Sequence, residues 1–168
     1  MFKRYKPTNF KMRLYGMVLN LFPTYRRTGG RAFFIAEDLS DVHIRLKLGW
    51  GTRNYVGTMF GGSMASAADP IYMIQLIRIL GNDYVVWDKS ASIRFRRPGN
   101  QTLYSRFLIT DELLAEIRQR VVNEQEIDLD LTSDWVDKDG TVYATVTKTL
   151  YVADKQFYKN KQLARKNK

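Results

Sequence analysis

The sequence has 168 residues, enough for one compact domain with a single core and too few to make a second domain expected. With no cysteine and one histidine, His43, it excludes disulfides, a thiolate nucleophile and a Cys/His metal cluster, so no metal is expected. A formal net charge of +10 leaves three classes of partner to weigh: nucleic acid, an anionic membrane surface and anionic small molecules.

The charge is concentrated at the ends. Residues 1–31 hold eight cations (Lys3, Arg4, Lys6, Lys11, Arg13, Arg26, Arg27, Arg31), and residues 153–168, a basic C-terminal tail, hold six more (Lys155, Lys159, Lys161, Arg165, Lys166, Lys168). Charge runs usually face solvent. Nucleic-acid binding would need cations interleaved with stacking aromatics on one surface, so no nucleic-acid partner is expected. Arg13, Gly16 and Asn20 interrupt the first apolar stretch and no small-residue cleavage site follows, which argues against a signal peptide. Nor is there a run of about 18 apolar residues to span a bilayer, and a cytoplasmic location is the expectation.

Residues 1–28 read as an amphipathic helix and turn. Thr8 or Asn9 can cap a helix that carries Phe10, Leu14, Met17, Val18 and Leu21 on one side and stops before Pro23. Such a helix most simply packs its apolar side on its own domain. The other reading is weak contact with an anionic membrane, through that side and its cations. Strand patterns follow in RAFFIAED and in DVHIRLKLGW, where Val42, Ile44, Leu46 and Leu48 alternate with His43, Arg45 and Lys47. That alternation puts His43 on a solvated face, and Ser40-Asp41 supplies the hairpin turn.

An apolar pattern then runs from Gly61 to Gly81, predicting a helix of roughly twenty residues. The small residues at its start, Gly61, Gly62, Ser63, Ala65, Ser66, Ala67 and Ala68, suit close packing on a curved sheet. YVVWDKSASIRFRRPG and QTLYSRFLIT read as strands around a Pro98-Gly99-Asn100 turn. DELLAEIRQRVVNEQ is a second helix, and two final strands meet at Lys138-Asp139-Gly140. The order predicts an α+β domain in which one long helix is wrapped by a curved antiparallel sheet built partly as a four-strand meander.

Within NYVGTMFGGSMASAADP, residues 54–70, Asp69 stands among Ala67, Ala68, Ile71 and Ile74. Helix interiors tolerate Asp poorly, and burying it ionised requires a partner. Pro70 must bend or restart the helix, so Asp69 could simply cap a helix beginning at Pro70. The functional reading starts at Phe60-Gly61-Gly62, where unpaired amides and the positive end of the helix dipole form a potential oxyanion hole. Asp69 lies about 13 Å along the helix from Phe60. A symmetric dimer would bring Asp69 of one subunit opposite the Gly61 turn of the other, which would also supply its partner groups.

The set Asn54, Gly57, Gly61, Gly62 and Asp69 resembles the N-x-x-G-x-x-H-G-G motif, followed by a helix acid, of hotdog-fold acyl-CoA thioesterases of the phenylacetate-degradation (PaaI-like) and four-hydroxybenzoyl-CoA type. ADP followed by VVWDKSASIRFRRPG resembles a bacterial subfamily of that fold known as a domain of unknown function (DUF4442). The likeness covers roughly residues 30–152. It implies one hotdog domain over residues 1–168, forming a homodimer or homotetramer, and thioester hydrolysis on an acyl-CoA or acyl-carrier-protein substrate. No cofactor is implied beyond the coenzyme A of the substrate. By the same resemblance Asp69 would be nucleophile or general base, Gly61 the amide that polarises the thioester carbonyl, and Asn54 a side chain positioning water or substrate. A non-catalytic hotdog protein that binds acyl groups or a protein partner is the alternative.

Phe60 stands where the family commonly has His, and it can neither donate a proton to the leaving thiol nor hydrogen-bond a carbonyl. With Gly62 it would line the substrate side of the turn. Asp88, Lys89 and Ser90 enter the strand after the long helix, where some relatives carry Ser or Thr near the site, although a surface ion pair explains Asp88 and Lys89 equally well. Arg96 and Arg97 belong to an RFRRPGN cluster whose guanidinium forks suit the phosphates of coenzyme A. Tyr72, Tyr84, Trp87 and Phe95 read as core aromatics, any of which could wall an acyl pocket.

Overall fold

The computed structural model describes residues 10–166; the Thr8 or Asn9 cap lies outside the described residues. In chain order the elements are α1 (Phe10–Leu21), α2 (Pro23–Thr28), β1 (Gly30–Ile35), β2 (Asp41–Leu46), a 3-10 turn (Trp50–Thr52), α3 (Gly61–Ala68), α4 (Ile71–Leu80), β3 (Tyr84–Phe95), β4 (Leu103–Leu108), α5 (Asp111–Glu124), β5 (Glu126–Val136), β6 (Val142–Asp154) and α6 (Lys155–Lys166). The basic C-terminal segment is thus helical, and Asp154 Oδ1 caps it by accepting from the Phe157 amide at 2.8 Å.

All six strands form one antiparallel sheet in the order β1-β2-β4-β5-β6-β3. This corrects the expected meander, because β3 and β4 are not neighbours. β3 leaves the 96–102 connection at one edge of the sheet, and β4 enters between β2 and β5. Length matching decides it: the 12 residues of β3 suit the 13 of β6, whereas the six of β4 suit the six of β2. β4 and β5 share a single paired position, Tyr104 with Val136, so the sheet curves there around the helices.

The long helix is two helices in tandem. Pro70 has no amide to offer the Ser66 carbonyl, so hydrogen bonding breaks at Asp69-Pro70 although both residues keep right-handed helical angles. Four buried side chains fix the pair to its surroundings. Trp135 Nε1 donates to the Met64 carbonyl at 3.1 Å and Tyr25 Oη to the Ala67 carbonyl at 3.3 Å. Tyr72 Oη donates to the Thr132 carbonyl at 2.8 Å, and Gln75 Nε2 to those of Leu39 and Phe107 at 2.7 and 3.1 Å. The small residues do allow close approach: a Cβ on Gly30 would lie 2.8 Å from the Ala67 methyl. Ile44, Leu46, Leu76, Leu103, Phe107 and Leu150 fill the space between helices and sheet.

His43 is buried, contrary to the solvated position its alternation predicted. A register shift between Ala32 and Phe34 in β1 lets the rings of Phe33 and Phe34 cover the imidazole, with centroids 5.7 and 4.9 Å away. Its Nε2 pairs with Asp41 Oδ1 at 2.9 Å, and Arg106 grips the same carboxylate at 3.0 and 2.9 Å. Burial works to raise the Asp41 pKa, but the bonds from His43 and Arg106 outweigh it and hold the group below its ordinary value. A lowered carboxylate pKa stabilises the fold above the unfolded value and ceases to do so as pH falls through the folded one. Asp41→Asn is therefore expected to lose about 1–3 kcal/mol at pH 7 in urea unfolding, the scale of bonds to a charged group. The difference from native protein should shrink below about pH 4, the ordinary carboxylate range.

Candidate active site

Asp69 ends α3, and its side chain neither caps α4 nor lies buried; it is 57% exposed. It reaches across to β6, where Lys148 Nζ donates to its Oδ1 at 2.6 Å. Oδ2 accepts no hydrogen bond from the described residues. One partner of this carboxylate, which the sequence reading looked for in an opposite subunit, is thus present in the same chain.

Lys148 is only 2% exposed and sits between two carboxylates, the second being Asp88 Oδ1 at 3.0 Å. A buried ammonium is tolerable only when paired, and here two anions share one cation. Asp88 makes this ionic contact without a well-aligned hydrogen bond, which leaves a buried acceptor incompletely satisfied. Burial raises the Asp88 pKa, the Asp69 charge adds to the rise, and Lys148 offsets part of it. The three groups therefore carry one negative charge when fully ionised, and the exposed part of it is on Asp69.

The sequence reading missed Lys148, although TVYATVTKTLYV held the signal. Along β6, Ala144, Val146, Lys148, Leu150 and Val152 form the buried phase, and a lysine in an apolar phase demands a buried counter-charge. Asp88 and Lys89 separate because of a bulge in β3 between Asp88 and Ser90. Asp88 turns toward Lys148, whereas Lys89 turns to the other face and pairs with Asp128 at 2.5 Å. Ser90 is exposed, outside the cluster.

Eight residues upstream, at about 1.5 Å per residue, the start of α3 lies about 12 Å from Asp69. The Gly61 and Gly62 amides find no acceptor among the described residues, while those of Ser63 and Met64 turn back to the Phe60 carbonyl at 3.0 and 3.3 Å. Both glycines are roofed by rings. A Cβ on Gly61 would lie 2.5 Å from Phe95, and one on Gly62 would lie 2.4 Å from Phe60. Gly61 opens on a groove of about 440 Å³ lined by Asn54, Met64, Phe95, Arg96 and Arg97 among others. Asn54 spends its side chain within its own turn, accepting from the Thr58 amide and donating to Thr58 Oγ1, each at 2.9 Å. Arg96 reaches Thr145 Oγ1 at 3.2 Å, and Arg97 lies 5.9 Å over the Tyr143 ring.

Asp69 has a groove of its own, about 320 Å³, whose walls include Leu19, Phe22, Tyr25, Ser66, Pro70 and Ile74. It is largely apolar with one carboxylate in its wall. Of the four aromatics assigned to the core, Tyr72 is buried and Tyr84 half-buried, but Trp87 and Phe95 are exposed on the edge strand β3. No group of three or more metal-ligating side chains occurs among the described residues, and no described helix is long and apolar enough to cross a membrane.

Residues 18–152 match the family described as "Domain of unknown function (DUF4442)". The chain belongs to the DUF4442 family. Solved structures share the architecture of this DUF4442 chain. A protein of Pseudomonas aeruginosa described as a probable thioesterase is 18% identical with a TM-score of 0.74, over 88% of this chain and 97% of its own. A thioesterase of Haemophilus influenzae is 12% identical with a TM-score of 0.62, over 88% and 93%. A protein of unknown function from Chlorobaculum tepidum is 12% identical with a TM-score of 0.65, over 85% and 93%. At such identities the likeness establishes the fold, which is the thioesterase-like hotdog fold that residues 54–70 suggested. No curated protein sequence matches the chain.

Proposed function

We propose that this DUF4442 protein hydrolyses a thioester, an acyl-CoA or an acyl-carrier-protein conjugate, with Asp69 as its reactive carboxylate. The observation that carries the proposal is the clamp on Asp69. Lys148 holds Oδ1 at 2.6 Å from a buried position, Oδ2 accepts no hydrogen bond from the described residues, and Asp69 lines a mostly apolar groove. A carboxylate fixed by one oxygen loses little entropy in presenting the other. Acting as base, Oδ2 takes a proton from water as the oxygen attacks the carbonyl carbon; the C–S bond then breaks and the thiolate departs. Acting as nucleophile, it attacks the carbonyl carbon, the C–S bond breaks and the thiolate departs to leave an acyl anhydride, which water then cleaves to release the acid and restore the carboxylate.

The oxyanion donors in this scheme are the Gly61 and Gly62 amides, aligned with the positive end of α3. Because about 12 Å of helix separates them from Asp69, the scheme requires two protomers about a twofold axis, each giving Asp69 to a site whose amides come from the other. The 12-residue edge strand β3 is the fitting seam, with an outward backbone edge and the exposed Trp87 and Phe95. Arg96 and Arg97, beside the Gly61 groove, would meet the phosphates of coenzyme A.

A binding role without turnover draws support from Phe60, which can offer no proton to the leaving thiol. Thiol release from short, medium, long and aromatic acyl-CoAs, and from the same acyl groups on a carrier protein, tests the choice. Turnover on any of them is the expected result. Acyl-CoA binding with no release from either carrier would replace hydrolysis with the binding role.

A further inference from the structure

α1 is apolar on two opposite sides. Met12 and Gly16 are buried, with Tyr15 and Leu19 packed beside them, and this side lies on β1. On the other side, Phe10 is 80% exposed and Leu14, Met17, Val18 and Leu21 are 45%, 51%, 58% and 60% exposed. At about 100° per residue these five project within an arc of roughly 100°. Phe22, also more than half exposed, follows at the junction with α2. The expected packing of this face on its own domain is therefore not what the chain does. A contiguous apolar stripe of this kind on an isolated surface marks an interaction site.

The surroundings of the stripe identify its partner. Lys11 and Arg13, both exposed, fall on either side of the arc. Residues 1–36 contain eight Lys or Arg and no Asp or Glu. A protein partner or second copy could cover the apolar residues, but a second copy would set Lys11 and Arg13 against like charges. An apolar stripe flanked by cations on a helix lying flat is the chemistry of an anionic bilayer surface. The position is also free of the proposed dimer seam, because α1 packs on β1 and β1 and β3 are opposite edges of the sheet.

We infer that α1, with Phe22, docks the protein on anionic phospholipid membranes. The apolar arc enters the boundary between headgroups and acyl chains, while Lys11, Arg13, Arg26 and Arg27 stay among the phosphates. Phe22 and Asp69 line one groove, so docking would bring that groove to the lipid. This last consequence rests on the proposed hydrolysis; the docking itself does not.

Co-sedimentation of the full chain with vesicles decides the matter. Vesicles with about one-third phosphatidylglycerol should retain the protein at least tenfold better than pure phosphatidylcholine, and moderate salt should weaken retention. The variant Leu14→Gln/Val18→Gln/Leu21→Gln changes only exposed or half-buried faces and should keep its circular dichroism spectrum, its thiol-release activity and its sedimentation mass while losing at least tenfold in retention. Equal retention on neutral and anionic vesicles, or undiminished retention of the variant, would overturn the proposal. A variant of lower sedimentation mass, with native protein that ignores vesicles, would assign the stripe to self-association instead.

Discussion

Asp69→Asn is expected to reduce thioester turnover by about 10²–10⁴-fold, the usual range for a deleted general acid or base, while the protein stays folded and of unchanged mass. The substitution has two separable consequences. Asn preserves the shape at the end of α3 and can still accept from Lys148, so the loss of the anion costs only the charged component of a bond whose acceptor is 57% exposed. Lys148 also keeps Asp88 at 3.0 Å, and it is not stranded. A stability loss of about 1 kcal/mol is the expected scale. The chemistry has no such reserve, because an amide can neither take a proton from water nor attack a carbonyl. Urea unfolding and thiol release measured on one preparation distinguish the two. Native-like turnover in Asp69→Asn would remove this carboxylate from the reaction, whatever its effect on stability.

The sequence disclosed the fold through features whose cause is local. Strand character marked all six strands, with clean alternation in β2, β5 and β6; small residues at 61–68 marked the helix that approaches the sheet, and Pro70 marked its break. What local pattern could not supply was partnership between distant segments. The Pro98-Gly99-Asn100 turn looked like a hairpin because the strands on either side are well formed, yet hairpin pairing would leave the long β6 with β5 alone and no full-length neighbour on its other side. His43 read as solvated because its strand alternates cleanly; its burial comes from a register shift in β1, a different strand. The site shows the same division. The motif from Asn54 to Asp69 was legible, but Lys148 lies 79 residues from Asp69 in sequence, and only pairing of β6 beside β3 brings it under the helix.

A large effect on stability is also expected at Lys148. In Lys148→Met the side chain keeps most of its volume and the buried ammonium disappears, but Asp88 is then left partly buried with Asp69 as its nearest charge. Removing one member of a buried ion pair costs about 3–5 kcal/mol when the survivor is fully enclosed; with Asp88 25% exposed and Asp69 57% exposed, about 1–3 kcal/mol is the fitting estimate near pH 8. The pH dependence carries the diagnosis. The folded pKa of Asp88 is already raised, by burial first and by Asp69 after it, and Lys148 is what restrains the rise. Without Lys148 it must rise further. A raised carboxylate pKa favours the fold fully below the unfolded value of about 3.9 and loses that benefit as pH climbs through the folded value. The deficit of Lys148→Met should accordingly be small near pH 4 and grow to a plateau above neutrality, as read by urea unfolding at several pH values. Adding Asp88→Asn should recover most of the loss at pH 8, because a neutral amide needs no counter-charge. If Lys148→Met matched native stability at every pH, the cluster would be a contact without energetic weight. The double variant also isolates what Lys148 does for Asp69: with stability restored and the carboxylate intact, turnover that remains low would mean that holding Oδ1 in place is part of the chemistry.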